Sequence, residues 1–347
     1  MKLPFEELKF STIVKSQAET DRNFGCAPEA RTAEQLINYG IINLNKPKGP
    51  TSHQVSEFVQ RIFGIEKAGH SGTLDPAVTG VLPVALGRAT RIVQRLLSAG
   101  KEYVGIMHLH KSVEENELRK TLKEFTGKIT QLPPVRSAVV RQLRERSVYY
   151  FDILEIDGQD VLFMAGVQAG TYIRKLCHDI GRKHGGAHMA QLVRTKAAMF
   201  SLDSAVTLQD LEDAVHYWKQ GNEKMLRKCI LPVETGVQHI PKIYIQDSAV
   251  DAVCHGAMLN VPGIVKFEAP FEKEEETAIM TLKGELVAIG TAQMNSDELI
   301  KAKKGLVIRT KKVFMLPGTY PKYKKNSEFA SSLRNFPMSR GKCYEEN

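Results

Sequence analysis

A run of twelve residues at positions 69–80, Gly-His-Ser-Gly-Thr-Leu-Asp-Pro-Ala-Val-Thr-Gly, constrains the fold of this chain more than any other stretch. Its three glycines can adopt positive φ angles without a Cβ penalty, whereas Pro76 fixes its own φ and pushes Asp75 into extended backbone. The run therefore predicts a stiff loop that holds one carboxylate. Such loops often carry chemistry or approach a ligand closely, and an ordinary tight turn is the alternative.

Four further motifs stand in a fixed order around this loop. They are Lys-Pro-Lys-Gly-Pro-Thr-Ser at 46–52, Lys-Glu-Tyr at 101–103, Gly-Thr-Tyr-Ile-Arg at 170–174 and Phe-Met-Leu-Pro-Gly-Thr-Tyr-Pro at 314–321. Together with the loop they resemble the TruB-type pseudouridine synthases. The version here is similar to the archaeal and eukaryotic guide-dependent branch, the dyskerin family, over a span from about residue 32 to residue 321.

Helix and strand patterns alternate up to about residue 237. Apolar residues recur at helical spacing at 55–63, 89–97 and 211–218, and the alternating run 148–164 predicts a β-hairpin turning at Asp157-Gly158. Because no regular βαβ spacing is present, we expect an α+β domain on a mixed or antiparallel sheet with flanking helices. From 240 onward, short β-rich runs bounded by glycines predict a second, mostly β domain, which resembles the RNA-binding PUA module.

These patterns and the resemblance predict four parts. Residues 1–31 form an N-terminal extension, which in the resembled family docks on the C-terminal domain. Residues 32–237 form the TruB-type catalytic domain, residues 240–321 the PUA domain, and residues 322–347 a flexible polar tail.

The charge of the chain favours a polyanionic partner. The formal net charge is +9, which makes nucleic acid the leading candidate and a merely basic protein the alternative. No apolar run is long enough to span a bilayer, and the N-terminus lacks the apolar core of a signal peptide. We therefore expect an intracellular protein with no membrane partner.

Cysteine and histidine spacing favours neither disulfides nor metal binding. The five cysteines are scattered and never form a Cys-x-x-Cys pair. His184 and His188 have the spacing of two ligands on one helix face, but Gly185-Gly186 between them argues against a helix. We expect no metal site.

The resemblance implies a specific chemistry. Pseudouridine formation breaks the bond between ribose C1′ and uracil N1 and rejoins the ring through C5, so it needs no cofactor. It needs a carboxylate that either attacks the sugar or base or removes a ribose proton, a role that the resemblance gives to Asp75. Arg174 matches the arginine that pairs with this aspartate. Tyr103 matches the active-site tyrosine, which would stack on the uracil and assist proton removal from C5, and a core tyrosine is the alternative.

Three more residues match positions near the substrate. His70 would contact RNA beside a flipped nucleotide, although a satisfied loop histidine is equally compatible with its position. Leu192 aligns with an apolar residue that lines the uracil pocket. Lys46, grouped with them, belongs to a motif that supports the catalytic loop and takes no part in the chemistry.

The sequence departs from the family pattern at three positions. Ala77 stands where the guide-dependent branch usually has lysine, Val193 where a basic residue is usual, and Ala198 near a usual glycine. The first two changes remove positive charges that would contact phosphates, but none of the three removes a reacting group.

The C-terminal part carries a dense group of basic residues that we expect to bind RNA through phosphates. They are Lys301, Lys303, Lys304, Arg309, Lys311 and Lys312. In the resembled family the PUA domain also holds the single-stranded ACA element of the guide.

The resemblance also implies partners. Only residues 110–113 separate the Tyr103 strand from the next helix, whereas stand-alone bacterial members have a tRNA-gripping insertion there. We therefore expect an H/ACA guide RNA, a substrate RNA and small accessory proteins: a Nop-type zinc-ribbon or linear protein, a Gar-type protein and a kink-turn-binding protein. The expected compartment is the cytoplasm, or the nucleolus in a eukaryote.

The leading hypothesis is thus the catalytic subunit of an H/ACA ribonucleoprotein that isomerises uridines in rRNA and, as a further target, tRNA. The alternatives are a stand-alone tRNA T-loop pseudouridine synthase, a non-catalytic PUA-type RNA scaffold and a PUA-containing tRNA transglycosylase. The joint presence of Asp75, Tyr103 and Arg174 speaks against the scaffold, and the lack of clustered zinc ligands speaks against the transglycosylase.

Overall fold

The computed structural model describes residues 2–133 and 140–322. The predicted tail lies outside the described residues from 323 onward. Within the described ranges, no helix combines the length and the apolar character that crossing a membrane requires.

The described chain up to residue 232 contains both helices and strands. In chain order they are β1 (Ser11–Val14), α1 (Ala33–Tyr39), β2 (Gly40–Lys46), α2 (Ser52–Phe63), β3 (Ala68–His70), β4 (Thr79–Leu86), α3 (Val93–Ser98), β5 (Lys101–Leu109), α4 (Glu115–Glu124), β6 (Gly127–Gln131), β7 (Arg144–Asp157), β8 (Asp160–Val167), α5 (Ile173–Gly181), β9 (Ala187–Ala197), β10 (Phe200–Ser201), α6 (Leu208–Lys219), α7 (Lys224–Cys229) and β11 (Leu231–Pro232).

Ten of these strands form one mixed sheet. Its order is β11-β2-β4-β9-β5-β8-β7-β6, with β3 added on β4 and β10 on β9. Neighbouring strands pair antiparallel except β4 and β9, which run parallel with Gly80 opposite Arg194. This arrangement confirms the predicted α+β fold on a mixed sheet with flanking helices.

The local sequence explains where α2 begins and ends. The Thr51 hydroxyl accepts the Gln54 N–H at 3.2 Å, while the Gln54 side chain accepts the Thr51 N–H at 2.9 Å, which is a capping box. The helix stops at Gly64, whose φ of 64° lies in the left-handed region. Val55 and Val59, one turn apart, are fully buried against the sheet.

One helix differs from the prediction. The segment 89–97 is not continuously α-helical, because a 3₁₀ helix, Gly87–Ile92, precedes α3. The Val93 N–H donates to the Thr90 carbonyl, three residues earlier, which is the backbone bonding pattern of a 3₁₀ turn.

The smaller region is mostly β, as expected. Its elements are β12 (Lys242–Ile245), α8 (Asp247–Cys254), β13 (Leu259–Asn260), β14 (Ile264–Ala269), β15 (Glu276–Thr281), β16 (Leu286–Ala292), α9 (Ser296–Lys301) and β17 (Leu306–Val313). Together with β1 they form a seven-stranded sheet in the order β1-β14-β12-β15-β16-β17-β13.

The N-terminal residues contact both sheets. Strand β1 pairs antiparallel with β14, and the Lys15 ammonium donates to the Leu299 carbonyl at 2.7 Å. Further upstream, Leu3 is fully buried, and Glu6 accepts from Lys196 of β9 at 2.8 Å. The segment thus ties the seven-stranded sheet to the ten-stranded one.

Apolar side chains from the two sheets form one shared cluster. Among its members are Ile41, Val81 and Ile92 from the ten-stranded region and Met280, Leu286 and Phe314 from the seven-stranded region. Polar contacts reinforce this junction: Glu234 accepts from both terminal nitrogens of Arg31 at 2.7 and 2.8 Å, and from the Leu286 N–H at 2.9 Å. The regions therefore share a core as well as a linker.

Candidate active site

The Asp75 loop comprises residues 71–78 and joins β3 to β4. The first residue of α2 anchors it: the Ser52 hydroxyl accepts the Leu74 N–H at 2.8 Å and donates to the Leu74 carbonyl at 3.2 Å. Leu74 itself is buried. The capped start of α2 thereby fixes the backbone next to Asp75.

Lys46 supports the same loop from the end of β2. Its side chain is fully buried, and its ammonium donates to the Pro76 carbonyl at 3.3 Å. Burial lowers the pKa of Lys46, and the charge of Asp75 opposes that shift. The structure therefore places Lys46 behind the carboxylate, bonded to backbone.

The Asp75 carboxylate forms an ion pair with Arg174, the second residue of α5. The two side chains are 51% and 56% exposed, respectively. Asp75 is therefore presented on an open surface in the free protein. An exposed pair of this kind can rearrange at low cost when a ligand arrives.

A buried glutamine sets the position from which Arg174 emerges. Gln131, at the end of β6, accepts the N–H of Tyr172 at 3.1 Å and donates to the Tyr172 carbonyl at 3.3 Å. The Thr171 hydroxyl also donates to the Gln168 carbonyl at 2.8 Å. Sequence reasoning missed Gln131, because only the tertiary fold brings it to this turn.

Tyr103 and Leu192 lie beneath the loop. Tyr103, on β5, is 9% exposed and belongs to the same buried cluster as Leu74 and Leu192. Leu192 fits closely over β5, since a Cβ added to Gly105 would lie 2.7 Å from its Cδ1 atom. The structure thus brings the predicted tyrosine and the predicted pocket residue to the Asp75 loop.

His70 ends β3 at the entrance to the loop. Its Nδ1 atom lies 3.1 Å from the hydroxyl oxygen of Ser56. Burial lowers the pKa of His70, and the nearby His53 and Arg194 lower it further, which favours the neutral imidazole. The ring is therefore held by the fold, and its predicted contact with RNA remains a prediction.

Two buried cations near the loop were given no role from the sequence. Lys101 is 4% exposed and donates to backbone carbonyls at the end of α3, while Arg194 is 1% exposed and donates to the carbonyls of Gly72 and Val81. A signal for Arg194 existed: it stands two residues after Leu192, and alternate residues of a strand share a face.

The three departures from the family pattern fall in different surroundings. Ala77 is exposed on the loop, and Val193 is partly buried opposite Thr79. Ala198 has a φ of 51°, a left-handed conformation that glycine adopts without strain. The glycine that is usual near this position in the family would therefore adopt this backbone conformation without strain.

The predicted RNA-binding residues gather on α9, the loop after it and β17. Lys301, Lys303, Lys304, Arg309 and Lys311 are exposed, and Lys312 is partly buried. Burial lowers the pKa of Lys312, and the neighbouring Arg95 and Arg91 lower it further. The group therefore extends a positive surface from the seven-stranded sheet toward the ten-stranded one.

The Asp75 loop lies outside two surface pockets of the catalytic region. One of about 570 Å³, lined by Phe63 and Trp218 among others, shares no residue with the Asp75 loop, whereas one of about 450 Å³ is lined by Lys46, Pro47 and Thr79 and borders the loop. Neither pocket is lined by Asp75, Tyr103 or Arg174. Among the described residues, no group of three or more His, Cys, Asp or Glu side chains is arranged to hold a metal ion.

Family models match nearly the whole described chain. Residues 60–173 match the N-terminal domain of TruB family pseudouridylate synthases, and residues 174–238 match the C-terminal domain of tRNA pseudouridylate synthase B. Residues 241–314 match the PUA domain, and residues 3–56 match the DKCLD domain.

Whole-chain relatives agree with these models. A probable tRNA pseudouridine synthase B of Methanopyrus kandleri is 56% identical over 323 residues, 92% of this chain and 95% of the relative. A protein of the same name from Pyrococcus abyssi is 57% identical over 320 residues, 91% of this chain and 96% of the relative.

Two solved structures have the same fold. A Cbf5-Nop10-Gar1 complex has a chain with a TM-score of 0.87 and 52% identity, covering 92% of this chain and 98% of that one. An H/ACA RNP bound to a substrate RNA containing 2′-deoxyuridine has a chain with a TM-score of 0.87 and 49% identity, covering 93% and 100%. The chain therefore belongs to the dyskerin (Cbf5) branch of the TruB family of pseudouridine synthases and carries a PUA domain.

Proposed function

We propose that this pseudouridine synthase is the catalytic subunit of an H/ACA ribonucleoprotein and isomerises guide-selected uridines in rRNA and tRNA. The observation that carries the proposal is the Asp75–Arg174 pair, held above the buried cluster that contains Tyr103. The open placement of Asp75 suits a polymer substrate that brings one nucleotide to the enzyme surface.

The proposed chemistry assigns a task to each group. Asp75 either attacks the nucleotide and is later released, or removes a ribose proton and later returns it; the C1′–N1 bond breaks, and the uracil turns until C5 bonds to C1′. Tyr103 then assists removal of the C5 proton, whose bonding electrons restore the C5–C6 double bond, and N1 takes up a proton. Arg174 orients the carboxylate, and Leu192 packs against the base.

The similar solved structures support a set of partners. They are a Cbf5-Nop10-Gar1 complex and an H/ACA RNP bound to a substrate RNA, and the similarity to each covers more than nine-tenths of this chain. We infer that this chain binds a Nop10-type protein, a Gar1-type protein, an H/ACA guide RNA and its substrate. A kink-turn-binding protein is the remaining proposed partner. The basic residues of α9 and β17 are the proposed contacts of this chain with the guide RNA.

Stand-alone modification of the tRNA T-loop is the second candidate, because the curated relatives are named as probable tRNA pseudouridine synthases. The short connection between β5 and α4 favours the guide-dependent function, since residues 110–114 leave no room for an added RNA-gripping element. Membership in a synthase family stands against the scaffold and transglycosylase alternatives. The proposed compartment is the cytoplasm, because the compared relatives come from organisms without a nucleus.

One experiment separates the two candidates. The purified protein is incubated with tRNA and rRNA fragments, with and without guide RNA and the Nop10- and Gar1-type proteins, and pseudouridines are mapped. Guide-dependent function predicts that changing the guide sequence moves the modified uridine. Modification of one tRNA position that ignores the guide would favour the stand-alone enzyme.

A further inference from the structure

Arg194 is a charged side chain at the centre of the fold. It lies on β9, is 1% exposed, and donates from Nε to the Val81 carbonyl at 2.7 Å and from a terminal nitrogen to the Gly72 carbonyl at 3.0 Å. Gly72 lies three residues before Asp75, and Val81 stands in β4 just after the loop. One guanidinium group therefore bonds to the backbone on both sides of the catalytic loop.

The backbone of Arg194 is held as tightly as its side chain. It lies opposite Gly80 in the parallel β4–β9 pair and opposite Tyr103 in the antiparallel β5–β9 pair. A Cβ added to Gly80 would lie 2.2 Å from the Arg194 carbonyl oxygen, so the strands approach as closely as glycine permits. Any movement of Arg194 would therefore shift the loop relative to Tyr103.

The charge of Arg194 has no carboxylate counterpart among the described residues. Burial lowers the pKa of its guanidinium, and the proximity of the Tyr103 side chain opposes that shift. A buried guanidinium is costly unless its donors are satisfied, and here the acceptors are the carbonyls of Gly72 in the loop and Val81 in β4. The planar fork of arginine suits several acceptors at fixed angles, which lysine does not match.

We infer that Arg194 is a positioning residue of the proposed reaction, which holds both ends of the Asp75 loop in register with Tyr103. This inference rests on the proposed function. Asp75 and Tyr103 belong to different strands and loops, and Arg194 bonds to the loop of the first and lies opposite the second in the sheet. Its removal would leave each reacting group present and change the distance between them.

Arg194→Lys tests the inference, because it keeps the charge and loses the fork. With the assembled guide RNA, we expect the single-turnover rate of tritium release from C5-labelled uridine to fall about 10- to 100-fold, since small displacements of reacting groups cost this much. The affinity for substrate RNA should stay within about twofold, because Arg194 is buried and contacts no solvent. Amide hydrogen exchange of residues 71–81 should become faster.

Lys101→Met is the matched control. Lys101 is a neighbouring buried cation whose ammonium donates to the carbonyls of Leu97 and Ala99, both at 2.6 Å, and to no carbonyl of the loop. Its loss should lower the melting temperature and speed exchange near residues 96–99, with the tritium-release rate within about twofold of the unmodified protein. A merely structural role for Arg194 predicts the same pattern in both variants.

Three results are decisive. Wild-type rate and wild-type exchange at 71–81 in folded Arg194→Lys would overturn the inference, as would an equal rate loss in Lys101→Met. Should Arg194→Lys fail to fold, Gly72→Ala perturbs the same contact from the loop side, because the added Cβ would lie 3.3 Å from a guanidinium nitrogen. Gly72 has a φ of 88°, so Gly64→Ala, at a φ of 64° and with no atom within 4 Å of its added Cβ, controls for backbone strain. If the assembly with the wild-type protein forms no pseudouridine, the proposed function is wrong. The amide hydrogen exchange of residues 71–81 still tests whether Arg194 holds the Asp75 loop in place.

Discussion

Strands of the ten-stranded sheet bury the cations Lys46, Lys101 and Arg194 together with the carboxylate of Glu102, whereas the described residues of the seven-stranded region bury the carboxylates Asp251 and Glu285 and no lysine or arginine. The cations donate to backbone carbonyls around the Asp75 loop and the end of α3. Fully buried charges of either sign are costly, so each region keeps them for a specific purpose.

The carboxylates connect distant parts of the chain. Glu285 accepts from the Tyr320 hydroxyl at 2.6 Å and from the Cys26 N–H at 3.2 Å, and Asp251 accepts the Gly318 N–H at 2.8 Å. They fasten both ends of the described chain to the smaller sheet. Buried charge thus positions a reactive loop in one region and connects chain segments in the other, so substitutions in the two regions should have different effects.

The largest effect is expected for Asp75→Asn. The amide keeps the shape of the side chain but is neither a nucleophile nor a base, so single-turnover pseudouridine formation should fall by more than about a thousandfold. RNA affinity and melting temperature should change little, because the side chain is about half exposed. Asp297→Asn, the same change on exposed α9, should leave the rate unaltered. Residual activity of Asp75→Asn within tenfold of wild type would refute the assignment.

Tyr103→Phe should lower the rate about a hundredfold, the size of a lost proton-transfer group. The ring remains, so substrate RNA should bind with unchanged affinity. Tyr150→Phe is the control on the same sheet, because its hydroxyl donates to Glu102 and not to the site. It should cost stability and leave catalysis intact. A wild-type rate in Tyr103→Phe would show that only the ring matters.

Replacing Lys301, Lys303 and Lys304 by alanine together should weaken guide RNA binding by tens of fold near physiological salt. Each lost phosphate contact should reduce the slope of log affinity against log salt by about 0.7 to 0.9, because fewer counterions are released. The matched control is the triple alanine variant of Lys219, Lys224 and Lys228 on α6 and α7, which removes the same charge. If the slope of log affinity against log salt were the same for the two variants, the smaller sheet would not be the anchor of the guide RNA.

The smallest effect concerns His239, between the two regions. Burial lowers its pKa to about 4, with Lys242 adding to the shift, and its buried Nδ1 atom has no hydrogen-bond partner among the described residues. The unfolded chain, with an ordinary pKa near 6.5, binds the proton first as pH falls. Folding stability should therefore decrease from pH 6.5 toward 4, by roughly 1.5 kcal/mol between pH 6.5 and 5.

Urea unfolding across this range, in wild type and His239→Leu, measures that loss. The variant should show a flatter dependence on pH, while exposed His216→Leu should match wild type. If the free energy of unfolding depended on pH in the same way in wild type and His239→Leu, protonation of His239 would not be the cause of the lost stability.

Local signals predicted much of the fold. The helix at 55–63 and the Asp-Gly turn at 157–158 appear where expected, the latter with Gly158 at a φ of 58° between β7 and β8. Such features depend on residues within a few positions of each other, which a sequence displays directly. The sequence also correctly distinguished a mixed catalytic sheet from a mostly β C-terminal region.

The site was predicted less completely. Motif spacing and resemblance selected Asp75, Arg174 and Tyr103, and the fold brings them to one place, while their roles stay predictions. The bonds from Ser52, Gln131 and Arg194 were not predicted, because each joins residues far apart in the chain. The sequence shows which side chains can donate or accept a hydrogen bond. Which partner each one reaches depends on the order of the strands in the sheet, which a local pattern does not reveal.

The apolar cluster shared by the two sheets couples the unfolding of the two regions. Because Val81 of one sheet and Phe314 of the other lie in the same core, the sequence boundary near 240 is not a boundary in stability. Calorimetry should show one cooperative transition for both regions. A destabilising mutation anywhere in the RNA-binding module would then reduce the abundance of competent enzyme, so a loss of modification in cells can originate far from the reacting carboxylate.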